Sequence, residues 1–209
     1  MAKILITSYY KDKSSVRQRE LELCMKMNKQ NKSIDKIYVF LEGKEEDFPT
    51  LRGEKITIVE GPRPTYKMFF EFANSISEPE DIIIIANTDI FYDNSLDICT
   101  AKMKPNDCYA LSRYDLKEDG SIKLHHEKYS QDTWIFKGQI RIPHYCNFFL
   151  GMRGCDNRIA YEIRSVGYNI VNPAYSIISI HYHVSDLHNY TKDDLIPKPY
   201  LAVELIQLQ

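Results

Sequence analysis

The sequence lacks both of the glycine-rich loops with which many nucleotide-binding proteins hold phosphate. No GxGxxG follows the first predicted strand, and no GxxxxGK[ST] occurs anywhere in the 209 residues. Dinucleotide-dependent oxidoreductases and P-loop nucleotide triphosphatases are therefore disfavoured. A diphosphate can instead be neutralised by a divalent cation, which requires hard oxygen ligands and can accept an imidazole.

A dominant charge and a long apolar run are also absent. The chain has 27 basic and 29 acidic residues, a formal net charge of -2, so no global field attracts nucleic acid or an anionic membrane. No window approaches the roughly 20 apolar residues that span a bilayer, and the apolar block at residues 4–6 is too short for a signal peptide. These absences predict a soluble, cytoplasmic protein without a membrane span.

Cysteine pairs are lacking as well. The five cysteines are odd in number, scattered and never in CxxC spacing, which predicts buried thiols in a reducing compartment. No histidine spacing matches a common zinc pattern.

The order of hydrophobic patterns predicts a single α/β domain over residues 1–209. In the first hundred residues, strands (3–8, 35–41, 56–60 and from Asp81) alternate with helices (14–29 and 66–75), as in a mostly parallel sheet flanked by helices. The rest breaks this rhythm, with strands at 108–113, 133–136, 169–171 and 175–183, a helix at 156–166 and a polar excursion at 115–130. It predicts a smaller antiparallel C-terminal part. Because segment 201–209 is apolar and helix-favouring, the chain is expected to be the N-terminal domain of a longer polypeptide.

Residues 81–93, DIIIIANTDIFYD, are the most informative stretch. Four consecutive isoleucines predict a strand buried on both faces, and the polar residues Asn87, Thr88 and Asp89 follow at its carboxyl end. Ligands of open α/β sheets bind at that edge. Asp89 is thus well placed to hold a divalent cation, although such residues also commonly cap a turn.

Two later histidines, His181 and His183, lie two residues apart in a strand-like run and are expected to point the same way. Both can face the cleft.

This order of elements resembles the GT-A fold of nucleotide-sugar glycosyltransferases over residues 3 to about 190. In that family the last acid of an Asp-x-Asp triplet and a late histidine hold Mn²⁺ or Mg²⁺ against the diphosphate of the donor. The resemblance implies that Asp89 and His183 are metal ligands, with Asn87 in place of the first acid. It divides the chain into a donor-binding half, about 1–100, and an acceptor-binding half, about 101–190. More narrowly, the chain is similar to the small glycosyltransferase domain of large algal viruses, which would place it in the host cytoplasm.

The resemblance also implies the catalytic residues. Asp156, at the start of the helix, matches the acid that often activates the acceptor hydroxyl as a general base, although an Asp at this position is commonly an N-cap. Asp132 is a competing acid, and Trp134 beside it is either a sugar platform or, more commonly, a core residue.

Other donor contacts are expected from position alone. Thr7, Ser8 and Tyr9 end the first strand, where GT-A enzymes place the base and ribose, and Tyr9 is expected to stack. Arg63, Tyr66 and Lys67 begin a helix whose N-terminus attracts anions. Lys192 and Lys198 are expected to fold over the diphosphate.

The sequence thus predicts a metal-dependent glycosyltransferase that moves a hexose-type sugar from a UDP-sugar to a glycan hydroxyl, with retention slightly favoured over inversion. A sugar-nucleotide nucleotidyltransferase is one alternative, but the segment after the first strand, TSYYKDKSS, lacks glycines. A non-catalytic carbohydrate-binding module is another, yet its strands are expected to form a β-sandwich.

Overall fold

A computed structural model describes residues 1–185 and 194–209. Within them, the strands are β1 (Lys3–Tyr10), β2 (Lys36–Glu42), β3 (Ile56–Glu60), β4 (Ile82–Ala86), β5 (Ile90–Tyr92), β6 (Asp107–Leu111), β7 (Tyr114–Leu116), β8 (Ile122–Leu124), β9 (Thr133–Lys137), β10 (Asn169–Val171) and β11 (Ser179–His181). The helices are α1 (Ser15–Gln30), α2 (Tyr66–Ile76), α3 (Asp97–Lys102) and α4 (Cys155–Ser165). None of the helices in these residues is long and apolar enough to cross a bilayer.

A seven-stranded sheet of order β10-β6-β9-β4-β1-β2-β3 forms the centre of the domain. All its pairings are parallel except those of β9, which runs antiparallel to β4 and β6. Ile83 and Ile85 of β4 pack into one hydrophobic cluster, whereas Ile82 and Ile84 pack into a second cluster on the opposite face. The isoleucine run therefore forms a strand covered on both faces, as its composition predicts.

A smaller sheet of order β5-β11-β7-β8 adjoins the tip of β4. Its β11 pairs antiparallel with β5 and parallel with β7, and β7 and β8 form a hairpin. The amide of Tyr182 donates to the carbonyl of Asp89 at 3.1 Å, which joins the histidine segment to the β4 tip. This sheet brings residues 89–92 and 179–183 together although they lie about 90 positions apart in sequence.

The predicted fold class is confirmed: a single α/β domain with a mostly parallel central sheet, flanking helices and a second, smaller sheet. Four details differ from the prediction. The small sheet includes β5 from the first half of the chain and one parallel pair, and the polar excursion contains the β7–β8 hairpin. Segment 201–209 is extended rather than helical, because its amides donate to neighbouring loops, Val203 to Lys128 at 2.9 Å and Ile206 to Asn172 at 2.8 Å.

Candidate active site

A cavity of 470 Å³ lies at the carboxyl ends of the parallel strands β1, β2 and β4. Its size is in the range of small-molecule sites, and its position agrees with the edge at which open α/β sheets bind ligands. Side chains from both halves of the chain line it. They are Ser8, Tyr10, Arg17, Glu42, Arg63, Asn87, Thr88, Asp89, Arg113, Ser130, Asp132, Leu150, Met152, Arg153, Asp156, His181 and His183, joined by Gly151 and Gly154.

Asp89 is buried at the floor of this cavity. Its Oδ2 accepts a hydrogen bond from Nη2 of Arg17 and lies 3.2 Å from Nε2 of His181. Burial alone would raise the pKa of the Asp89 carboxyl, but the charges and hydrogen bonds of His181 and Arg17 outweigh it and hold that pKa well below its usual range. Asp89 is therefore an anion throughout the physiological range.

Both histidines approach Asp89. His181 ends β11, whereas His183 follows that strand and places its Nδ1 4.0 Å from Oδ2 of Asp89. Their rings are 5.4 Å apart and inclined at 77°. Asp115 lies on the far side of His181, with Oδ1 3.3 Å from Nδ1, and this pairing leaves Nε2 facing Asp89.

The pKa values of the two histidines move in opposite directions. Burial disfavours the charged ring of His181, but Asp89 and Asp115 outweigh it and raise the pKa of His181 to about 9. Burial, with Arg17 nearby, lowers the pKa of His183. A bound cation would change both environments.

Asp89, His181 and His183 fit a divalent cation. One possible ligand atom from each lies within 4.8 Å of the others. Oδ1 of Asp89 is buried and, within the described part of the chain, has no hydrogen-bond partner. Buried carboxylate oxygens are normally paired, so this atom is available to an ion. One carboxylate and two imidazoles are a donor set that would suit Mn²⁺ or a later transition ion.

The presence of an amide rather than a carboxylate at position 87 is explained by the neighbouring Asp132. Nδ2 of Asn87 donates to Oδ1 of Asp132 at 2.7 Å, and Nη1 of Arg113 donates to Oδ2 at 2.9 Å. An aspartate at position 87 would place a second carboxylate against Asp132, whereas an amide donates a hydrogen bond to it. The negative charge that Asn87 omits from the triplet is thus supplied nearby by Asp132.

Asp156 also lines the cavity, in the first turn of α4. The N-cap is Gly154 at φ 76°, so Asp156 does not serve as the cap. Its Oδ1 accepts from Sγ of Cys155 at 2.9 Å. Burial, reinforced by the negative charge of Asp132, raises the pKa of Asp156 to about 7. Asp156 therefore exchanges its proton near neutral pH, as a general base must.

Of the residues predicted at the end of β1 and in the triplet, some line the cavity and others are buried away from it. Ser8 and Thr88 line the cavity, and Oγ1 of Thr88 donates to the carbonyl of Ser8 at 2.7 Å. Thr7 is buried and donates to the carbonyl of Ala86 at 2.9 Å. Tyr9 is fully buried against Phe48, so it is not available to stack on a base.

Of the residues predicted around the start of α2 and in the C-terminal loop, only some line the cavity. Arg63 lines the cavity, but Tyr66 is fully buried and packs edge-on against Trp134, which is itself a core residue. Lys67 lies outside the lining and pairs with Glu71 at 3.7 Å on the helix surface. Lys198 is exposed and also lies outside the lining. Lys192 falls outside the described residues.

Sequence reasoning missed several residues that the fold brings to the cavity. Tyr10 replaces Tyr9 at the wall, because side chains alternate along β1 and the strand continues to residue 10. Glu42 is the last residue of β2. It could have been predicted, because ligands of open α/β sheets bind at the carboxyl ends of the strands. No local pattern marks Arg17 or Arg113, since their partners Asp89 and Asp132 are 72 and 19 positions away.

No protein-family model matches this chain, and no curated protein matches it either. Among solved structures, it is similar to the mannosyltransferase PcManGT from Pyrobaculum calidifontis in complex with GDP-Man and Mn²⁺, with a TM-score of 0.53 and 12% identity. That similarity covers 90% of this chain and 58% of the mannosyltransferase.

A weaker similarity relates it to 4-diphosphocytidyl-2C-methyl-D-erythritol synthase from Anaerococcus prevotii, with a TM-score of 0.49, 12% identity and coverage of 92% and 94%. The galactosyltransferase LgtC, in complex with donor and acceptor sugar analogs, has a TM-score of 0.36 and 10% identity, with coverage of 64% and 57%. The similarity to the mannosyltransferase PcManGT supports a GT-A-like fold, in agreement with the resemblance found in the sequence.

Proposed function

We propose that this chain is a metal-dependent glycosyltransferase that moves a hexose-type sugar from a UDP-sugar to a glycan hydroxyl. One observation carries the proposal: a single cavity at the carboxyl edge of the sheet joins a metal-type cluster, Asp89 with His181 and His183, to the titrating carboxyl of Asp156. A nucleotide-sugar transferase needs both parts, because the leaving diphosphate requires positive charge and the acceptor hydroxyl requires a partner for its proton.

In the donor half, Asp89 and His183 hold the ion with His181 as a third ligand. Ser8, Asn87, Thr88 and Arg63 face the nucleotide and diphosphate. When bound, Mn²⁺ or Mg²⁺ supplies Lewis acidity to the leaving phosphate oxygens. Asp89 suits this role because it remains ionised while buried. Thr7, Tyr9 and Tyr66 are buried and do not line the cavity, so they have no direct donor contact in this proposal.

In the acceptor half, Asp156 orients the acceptor hydroxyl. In the reaction the acceptor oxygen bonds to the anomeric carbon, and the bond from that carbon to the diphosphate oxygen breaks. With inversion the hydroxyl proton passes to Asp156, whereas with retention it passes to the leaving phosphate and Asp156 only positions the acceptor. Asp132 takes over this role only if it leaves Asn87 and Arg113, to which it is bonded.

Several finer features belong to the same proposal. They are the UDP donor, the slight preference for retention and the action in a host cytoplasm on viral capsid glycans. GDP-Man in the mannosyltransferase complex shows that a guanosine donor also occurs with this fold. The assays therefore include both nucleotides.

Thermal unfolding with UDP or GDP, each with and without Mn²⁺, tests the proposal, since a ligand that binds the folded state raises the apparent stability. We expect UDP to raise the melting temperature only when Mn²⁺ is present. If no nucleotide diphosphate or sugar nucleotide stabilises the chain with metal present, the proposal fails. Stabilisation by CTP instead would favour a nucleotidyltransferase.

Two variants assign the roles. Asp89→Ala is expected to abolish the metal dependence of nucleotide binding, because it removes the one carboxylate of the metal cluster. Asp156→Ala is expected to leave nucleotide binding intact and to abolish sugar transfer. Equal metal-dependent binding by the wild type and the Asp89 variant would refute the metal assignment. The anomeric configuration of the product distinguishes retention from inversion.

A further inference from the structure

The guanidinium of Arg17 lies against Asp89, the carboxylate of the proposed cation site. It lies on α1, is 6% exposed and lines the cavity. Nη2 donates to Oδ2 of Asp89, and Nη1 donates to Oε2 of Glu20 at 2.9 Å. The buried carboxylates of Asp89 and Glu20 thus share the buried guanidinium of Arg17.

We propose that Arg17 couples the binding of the metal ion to that of the nucleotide diphosphate. Without a nucleotide, Arg17 opposes the ion at Asp89. With a nucleotide, its guanidinium binds the diphosphate. This inference rests on the metal-diphosphate site of the proposed function and adds a residue and a binding order to it.

Electrostatics gives the first half of the coupling. A divalent ion bound by Asp89, His181 and His183 would lie a few ångströms from the Arg17 guanidinium, in a region of low dielectric. Repulsion between like charges is strong there, and Arg17 also holds Oδ2 of the only carboxylate in the cluster. The protein alone therefore binds the ion weakly.

A diphosphate removes this conflict. Its oxygens carry more than one negative charge, so they can contact the metal ion and Arg17 at the same time. Arginine is suited to phosphate because its planar guanidinium presents several N–H donors. Glu20 keeps a contact with Nη1, so the guanidinium can turn from Asp89 to the phosphate without losing its other partner.

Glu20 also connects this charge pair to the histidine segment. Its two carboxylate oxygens accept hydrogen bonds from the amide and hydroxyl of Ser185, at 2.7 and 3.0 Å. Ser185 lies two residues after His183. Helix α1 therefore holds both sides of the metal cluster, Asp89 through Arg17 and the His183 segment through Glu20.

The test measures binding rather than transfer. Mn²⁺ is titrated into the protein alone and with saturating UDP, and free Mn²⁺ is followed by electron paramagnetic resonance. For Arg17→Gln, we expect the affinity for Mn²⁺ alone to rise about tenfold, and the affinity for UDP at saturating Mn²⁺ to fall by a similar factor. The affinity for UMP is expected to change little, because it lacks the second phosphate.

Opposite changes for metal and nucleotide are the signature of coupling, since damage to the fold would weaken both. Arg19→Gln is the matched control, because Arg19 is an exposed arginine on the same helix. If Arg17→Gln unfolds, the double variant Arg17→Gln/Glu20→Gln removes one charge of each sign and is expected to show the same opposite changes.

The results separate this inference from the proposed function. If the wild type binds Mn²⁺ and UDP together but Arg17→Gln fails to tighten Mn²⁺ alone, the role of Arg17 is refuted and the transferase proposal stands. If neither protein binds Mn²⁺ with or without UDP, the metal site and the coupling are refuted together.

Discussion

Asp156 is the residue whose ionisation most clearly links the site to stability. Its pKa is about 7 in the folded protein and about 4 in an unfolded chain, because burial and Asp132 disfavour the charged form. Between these values the folded protein binds a proton that the unfolded chain releases, so this residue makes stability fall as pH rises from about 4 to 7.

We therefore expect Asp156→Asn to be more stable than the wild type at pH 8. The gain is on the order of 2 kcal/mol after allowance for the partial exposure of the side chain. It is expected to vanish below about pH 4, where the wild-type carboxyl is protonated in both states. Urea unfolding at several pH values measures it. A gain that is independent of pH would show that the carboxyl titrates normally.

Asn87 leads to a second expectation at the scale of single residues. Asn87→Asp places a carboxylate about 2.7 Å from that of Asp132, and one of the two must take up a proton or move away. We expect a loss of about 1–3 kcal/mol in the free energy of unfolding at pH 7, partly recovered at pH 5.

The exchanged pair is the control for this change. Asn87→Asp/Asp132→Asn restores one amide and one carboxylate, and Arg113 can still donate to the amide oxygen at position 132. We expect it to regain most of the stability lost by the single variant, a coupling that a double-mutant cycle quantifies. A single variant as stable as the wild type at pH 7 would contradict the packing described here.

At the scale of elements, the turn after β9 depends on Gly138. This residue has φ +67°, and a Cβ there would lie 2.6 Å from the carbonyl oxygen of Pro79. We expect Gly138→Ala to lower the free energy of unfolding by about 2–4 kcal/mol, from the left-handed backbone and the clash together.

Gly120 in the β7–β8 turn provides the comparison. It has φ +81°, but nothing lies within 4 Å of its added Cβ. Gly120→Ala therefore carries only the backbone cost, about 1 kcal/mol. Chemical denaturation of both variants separates the two contributions, and equal losses would mean that Pro79 moves aside at no cost.

The elements also show how far the sequence predicts this protein. The four isoleucines of β4 were sufficient to predict a strand that is buried on both faces. Which face of β1 points to the cavity could not be predicted, because the segment TSYY has a polar and an aromatic residue on each face. As a result Tyr10, not Tyr9, lines the cavity. Arg17 was beyond prediction for a different reason. It lies in the first turn of α1, where nothing in the sequence distinguishes it from a solvent-exposed arginine. Its partner Asp89 is brought close only by the packing of α1 against β5.

At the scale of the whole molecule, we expect one cooperative unfolding transition. Two hydrophobic clusters share the central sheet, so neither can lose its packing without exposing the other. Trp134 reports on this directly, because it is the single tryptophan, is fully buried and lies on β9 between β4 and β6.

Tryptophan fluorescence and far-ultraviolet circular dichroism are therefore expected to give the same midpoint in urea. Fluorescence at Trp134 follows the central sheet, whereas circular dichroism averages over the helices and strands of the entire chain. Two separate midpoints would indicate that parts of the chain unfold independently. Added Mn²⁺ with UDP is expected to move both signals together.

The burial of all five cysteines makes the chain suitable for site-specific labelling. Burial raises the pKa of each thiol, to about 11 for Cys146 and about 12 for Cys99, so the native thiols react slowly with maleimides at neutral pH. One cysteine introduced at the exposed Phe149, beside Arg63 at the rim of the cavity, would carry a fluorophore without removal of any native cysteine. Such a probe would test the binding of the proposed nucleotide and metal ion in real time.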